Sequence, residues 1–335
     1  MIVENMLQTI EGLFRKANYE IMSFYKVGSK KNKFCFDLLA KKDDKLYTVK
    51  LFSNIDNVND EMIKEIKILS SLLNSKPILI GIKNRYEKLK DNTIYVREDL
   101  PFININTLEN ILTKNLFPYV LAKRGGGIVF LDGRLMKTLR EQKNITRKEL
   151  SEELGVTKRT ICAYETETMR PSEKIGQKIM KLLEDGSLFR KINVLEWNLR
   201  FTIDQKELFS EEELNEFESH LSEVLDDIGL SSYWYKKGVV PFKLSLYSEF
   251  RKDKNEIYPV FSGISDEEHK INTHQLQCLK MFTQLLSKKA LLIVDNTIRI
   301  PRVLSQNKIP VIRINVLEKM DDENDFIEFI QESEK

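Results

Sequence analysis

Cysteine and histidine are scarce, with three of each in 335 residues. Cys35, Cys162 and Cys278 are odd in number, lie far apart and include no C-x-x-C pair, so neither a disulfide framework nor a structural zinc site is expected. A reducing cytosol suits such a chain. His220, His269 and His274 make no spaced ligand set, and the last two, five residues apart, do not share a helix face. No Ser/His/Asp or Cys/His arrangement stands out either, and neither a cofactor nor a metal ion is expected. Long apolar runs are missing too: nothing approaches the roughly 18 uninterrupted apolar residues of a membrane helix. The first twenty residues mix acids with apolar side chains and lack the apolar centre of a signal peptide. The expectation is a cytoplasmic protein with no membrane partner.

Net charge is the last scarcity. Against 53 Lys and Arg stand 51 Asp and Glu, a balance of +2, which neither requires nor forbids a polyanionic partner. Its distribution says more. Between Lys123 and Lys181 there are 14 basic and 8 acidic residues, a local +6 that leaves −4 for the rest.

With 41% hydrophobic residues, this length can bury two or three cores. The first block opens with a helical spacing of Ile2, Met6, Ile10 and Phe14. Apolar runs Phe34 to Leu39 and Leu46 to Phe52 then predict a strand pair around the polar turn 41–45. A helix follows near Met62 to Leu73, and the wholly apolar Pro77 to Ile82 suits a strand buried on both faces. A strand at Thr93 to Val96, the proline-led run from Pro101 and a helix near Leu108 to Leu112 complete an α/β or α+β block. Arg124-Gly125-Gly126-Gly127 predicts a turn or hinge; without a following Lys-Ser/Thr it lacks the groups that grip a nucleotide's phosphates.

The last block repeats this order. A helix is predicted over Glu211 to Ile228, a strand pair over Pro241 to Phe250 and Glu256 to Phe261, a helix over Gln275 to Leu286 and a buried strand over Ala290 to Val294. Lys308 to Glu318 then echoes Leu100 to Glu109, proline for proline. A duplicated domain is the expectation, with the position matching Lys50 falling near Pro259.

Between the blocks the signals are sharper. A helix from Asp132 to about Lys143 places Leu135 and Leu139 on one face, with Arg134, Lys137 and Arg140 outside. Thr146 and Glu149 have the spacing of a capping box, Gly155 permits a left-handed exit, and Thr157 can cap the helix whose buried face is Ile161 and Tyr164. Pro171-Ser172-Glu173 starts a further helix, with Ile175, Ile179, Leu182 and Leu183 inside.

The run Leu135-x3-Leu139-Arg140-x4-Ile145-Thr146-x2-Glu149-Leu150-x3-Leu154-Gly155-Val156-Thr157-x3-Ile161-x2-Tyr164-Glu165-x4-Arg170-Pro171 resembles the phage-repressor (Cro and lambda repressor) class of helix-turn-helix domains. The resemblance implies an all-α, five-helix domain over 128–186. It implies a phosphate clamp at Arg147, helped by Lys148, and base reading from Thr157, Lys158, Arg159, Thr160 and Ala163. One departure, Ser151 for the usual alanine, exchanges small for small.

Residues 1–122 are similar in order to the restriction-endonuclease-like PD-(D/E)XK fold, which uses an aspartate and an E-x-K triplet on adjacent strands to hold magnesium. Here Asp37 and Lys50 take two of those places, but the triplet reads Thr48-Val49-Lys50 and lacks its carboxylate; Glu4 or Glu11 would have to supply a second. The expectation is a nuclease-like domain without nuclease chemistry, with residues 190–335 as its α/β copy.

Taken whole, the order of domains resembles the archaeal helix-turn-helix transcriptional regulatory proteins. That implies a non-enzymatic regulator of double-stranded DNA, acting as a homodimer, whose flanks dimerise, touch DNA backbone or sense an effector. A DNA nuclease using Asp37, Lys50 and Glu11, and a scaffold that binds only protein, are the competing expectations.

Overall fold

The computed structural model describes residues 2–26, 34–123, 125–197, 214–235, 240–248, 258–266, 273–300 and 309–333. His269 and parts of the predicted segments 211–228, 241–250 and 256–261 lie outside them. No helix among the described residues is long and apolar enough to cross a membrane.

The first block runs α1 (Ile2–Lys16), β1 (Glu20–Ser23), β2 (Leu38–Lys42), β3 (Lys45–Asn54), α2 (Asp60–Leu72), β4 (Lys76–Lys83), β5 (Thr93–Arg97), β6 (Leu100–Ile103) and α3 (Ile105–Lys114). Two further strands, β7 (Val120–Lys123) and β8 (Gly126–Val129), extend the same sheet, whose strand order is β1-β2-β3-β4-β6-β5-β7-β8. The predicted glycine turn is therefore the tip of a β7–β8 hairpin, with β7 paired in parallel with β5 and antiparallel with β8.

Four α-helices follow: α4 (Gly133–Gln142), α5 (Arg147–Leu154), α6 (Lys158–Glu165) and α7 (Glu173–Leu183). The fifth helix is reduced to one 3-10 turn, Gly186–Leu188, because Glu184 leaves α7 in the left-handed conformation and Asp185 caps so short an element. This helical core includes Val120 and Val129 from the hairpin beside Met136, Leu150, Leu154, Ile161 and Ile179. The hairpin and the helices thus share one apolar core.

The last block runs α8 (Glu216–Asp227), β9 (Ser231–Trp234), β10 (Leu244–Tyr247), β11 (Val260–Ser265), α9 (Thr273–Leu286), β12 (Ala290–Val294), β13 (Val311–Arg313), α10 (Ile314–Leu317) and α11 (Glu323–Glu332). Its strands lie in the order β9-β10-β11-β12-β13, matching β1-β2-β3-β4-β6 of the first block, antiparallel at the hairpin and parallel at the far edge. Even the register repeats. Phe24 N–H donates to Asp37 O (2.9 Å) and Asp37 N–H to Val49 O (2.8 Å), as Tyr235 N–H donates to Lys243 O (2.8 Å) and Lys243 N–H to Ser262 O (2.9 Å). Asp37 therefore corresponds to Lys243, and Lys50 to Gly263 rather than to a position near Pro259. The count along the chain slips because the β10–β11 connection is longer than the turn between β2 and β3.

By packing, the chain forms two compact units that interleave in sequence. One comprises Met1–Asn18, Lys50–Val58 and Ile78–Arg200 and holds the helical segment. The other comprises Tyr19–Val49, Asn59–Pro77 and Phe201–Lys335. Its centre is a cluster of rings: Phe282 lies 5.8 Å from Phe36, 4.9 Å from Phe242 and 4.8 Å from Phe261, and Phe24 lies 4.9 Å from Phe36.

Candidate nucleic-acid interface

The geometry of α5 and α6 is set by local chemistry. Thr146 Oγ1 accepts the Glu149 N–H (3.2 Å) and Glu149 Oε2 accepts the Thr146 N–H (2.7 Å), so the predicted capping box is present. The Thr146 backbone and side-chain hydrogen bonds also hold the Glu149 carboxyl below its ordinary pKa. Gly155 ends α5 at φ 68°, a conformation that penalises any Cβ. Thr157 then caps α6, its Oγ1 accepting the Thr160 N–H at 3.1 Å and meeting Thr160 Oγ1 at 2.9 Å.

On this frame Lys158 and Arg159 stand exposed in the first turn of α6, beside exposed Thr157, and Thr160 and Ala163 are half-buried. The hydroxyls of Thr157 and Thr160 are occupied with each other, so the two cations are the groups most available to a base edge. Lys148 is exposed on α5, with Glu152 at 3.9 Å. Arg147 is more tightly held. Its Nε donates to Glu165 Oε2 at 2.7 Å, and that hydrogen bond and charge raise the arginine's pKa above its ordinary value.

Glu165 is the centre of a buried network that sequence reading missed. Its side chain, 2% exposed, also accepts from Arg140 Nε at 2.6 Å, and Arg140 Nη1 donates to Ile145 O at 2.8 Å. Arg140, expected outside, is buried, and Met136 rather than Leu135 or Leu139 is the α4 residue fully in the core. A charge can be buried here because its partners are complete. α4 comes so close to the end of α6 that a Cβ at Gly133 would run into the Glu165 carbonyl oxygen.

The nuclease-like residues are placed otherwise. Asp37 immediately precedes β2, and Thr48, where an E-x-K glutamate would stand, is buried with its hydroxyl 3.3 Å from Ser70 Oγ. Lys50 is buried on β3, Glu11 is buried on α1 and accepts from Arg15 at 2.9 Å, and Glu4 is exposed on the same helix. In the last block, Lys243 stands in the place of Asp37 and pairs with Glu218 at 3.1 Å. Among the described residues no three His, Cys, Asp or Glu side chains gather to hold a metal ion. Thr48 thus stands where the E-x-K carboxylate would be, and Lys243 where the aspartate would be in the last block, so each block lacks a carboxylate of that pattern.

Residues 136–188 match the helix-turn-helix family. Residues 3–118 match the PD-(D/E)XK superfamily domain. Along nearly its whole length the chain is similar to archaeal proteins named "Putative HTH-type transcriptional regulatory protein". The identity is 28% with that of Methanococcus vannielii, covering 99% of this chain and 98% of the relative. It is 28% with that of Methanocaldococcus jannaschii (89% and 88%) and 23% with that of Pyrococcus abyssi (98% and 97%). No solved structure matches the chain. The helix-turn-helix, the nuclease-like fold and the likeness to archaeal regulatory proteins expected from the sequence therefore all hold.

Within the helix-turn-helix, the signal that could have exposed the missed network was present. Tyr164-Glu165 closes α6, and an acid at a buried position requires a cation, which Arg140 supplies from 25 residues earlier.

Proposed function

We propose that this chain is a sequence-specific DNA-binding transcriptional regulator. Residues 128–186 form its reading head, between α/β blocks at 1–122 and 190–335. The observation that carries this reading is the pair Lys158 and Arg159, exposed at the start of α6 on a frame fixed by two caps and one buried carboxylate. Such a helix enters the major groove, where a basic side chain recognises guanine through O6 and N7. Arg147 and Lys148 then hold phosphate, and Thr157, Thr160 and Ala163 line the base-facing side. The names of the relatives support the same role. One such unit binds weakly, so a second copy of the chain completes the reader on half-sites about 34 Å apart.

Selection of bound duplexes from a random pool tests this. Replacing Lys158 and Arg159 by alanine should relax the selected sequence, at about 1–3 kcal/mol of discrimination per contact; an unchanged selection would remove α6 from the reading role.

The match of residues 3–118 to a nuclease superfamily favours a second reading, DNA cleavage. Thr48 and Lys243 speak for a framework instead, on which the flanks dimerise, touch DNA backbone or take an effector. Supercoiled plasmid incubated with the protein and magnesium or manganese should stay supercoiled. Nicking that disappears in Asp37→Ala would establish the nuclease.

A further inference from the structure

The loop from β4 to β5 is unlike the other surface turns. Its residues Lys83 to Lys90 carry four cations, Lys83, Arg85, Lys88 and Lys90, against the single acid Glu87, and all four are exposed. At its tip Tyr86 is 87% exposed, the most open large apolar side chain among the described residues. A loose tip would account for that, but this one is built. Asn84 Oδ1 accepts the N–H groups of Tyr86 and Glu87, both at 2.8 Å, and Asn84 N–H donates to Glu87 O at 2.9 Å. The Arg85 N–H donates to Asp56 Oδ2 at 2.7 Å, and Leu89 N–H to Ile82 O at 3.1 Å. The backbone donors of Arg85, Tyr86, Glu87 and Leu89 are thus satisfied within the protein, and among the described residues no hydrogen bond or ion pair engages the side chains of Arg85, Tyr86 or Lys88, although the Arg85 charge also acts on Asp56. Lys90 is partly spent on Glu87 at 3.4 Å.

We propose that this loop is a second DNA contact, separate from the helix-turn-helix, in which Arg85 and Lys88 hold phosphates and the Tyr86 ring and hydroxyl rest against the sugar-phosphate edge. The inference rests on the DNA-binding reading above. Its occupant follows from charge: four exposed cations, of which only Lys90 is in an ion pair among the described residues, surround one phenol and complement a polyanion whose phosphates accept hydrogen bonds. The loop also belongs to the compact unit that holds the reading head, so DNA bound by that head is the polyanion at hand.

A salt titration of a labelled mixed-sequence duplex with the full chain tests it. Each phosphate contact contributes about 0.9 to the slope of log affinity against log salt, so Arg85→Gln with Lys88→Gln should flatten the slope by about two units. Tyr86→Ala should weaken binding severalfold with the slope unchanged. Thermal melts of both variants should match the parent chain. A double variant with the parental slope overturns the loop contact and leaves the regulator reading intact. A parent chain whose affinity for this duplex does not depend on salt overturns both.

Discussion

Glu165 answers two arginines with one carboxylate, so the proposed phosphate contact of Arg147 is joined to a structural one. Arg147→Ala should lower DNA affinity and also destabilise the fold by about 1–2 kcal/mol, the worth of a charge-assisted hydrogen bond discounted for the arginine's partial exposure. Lys148→Ala, at an exposed position, should weaken binding alone. Comparing the melts of the two variants separates these effects. Asp56 gives a pH dependence. Burial pushes its pKa up, but the Arg85 N–H and the Arg97 guanidinium outweigh that and hold it below the ordinary carboxylate value. A folded value below the unfolded one of about 3.9 means the tether is complete above that pH and is lost as acidity passes the lower value. Once acidity passes that lower folded value, the Arg85 amide should lose its protection against exchange relative to the intrinsic rate, and protection that persists in still stronger acid would contradict the tether. At this scale the caps Thr146, Gly155 and Thr157 were legible, because a cap is settled within four residues. Arg140 was not, since its partner is on another helix.

Between elements, tight approach decides the outcome. Gly133→Ala should drive α4 from α6 and cost about 1–3 kcal/mol, read as a lowered melting temperature, because the obstacle is backbone. Helices α1 to α9 and the buried strands β4 and β12 could be read from periodicity and apolar runs, whereas α10 and α11 near the end of the described residues were not expected. Strands β1 and β9, four residues each, are too short to show a period. The β7–β8 hairpin hid behind its glycines, which mark a turn equally well in a linker and in a sheet. Packing of Val120 and Val129 among the helices distinguishes the two, and no local pattern encodes it.

At the scale of the molecule, the sequence displays three blocks in a row, whereas packing sorts them into two interleaved units. Phe282 is the hub of the second unit, touching rings from β11 and from the segments just before β10 and β2. Phe282→Ala should cost about 3–5 kcal/mol in a denaturant titration, as large-to-small changes in ring-packed cores do; a loss below 1 kcal/mol would show the cluster to be incidental. Contacts over so many residues leave no trace in a single sequence. They do leave one in time. Phe24 and Phe36 emerge from the ribosome well before Phe282, and at about 5–20 residues per second the wait is on the order of tens of seconds. During that interval Phe24 and Phe36 have only each other and their near neighbours to pack against, and the cluster closes when the rings of Phe242, Phe261 and Phe282 arrive.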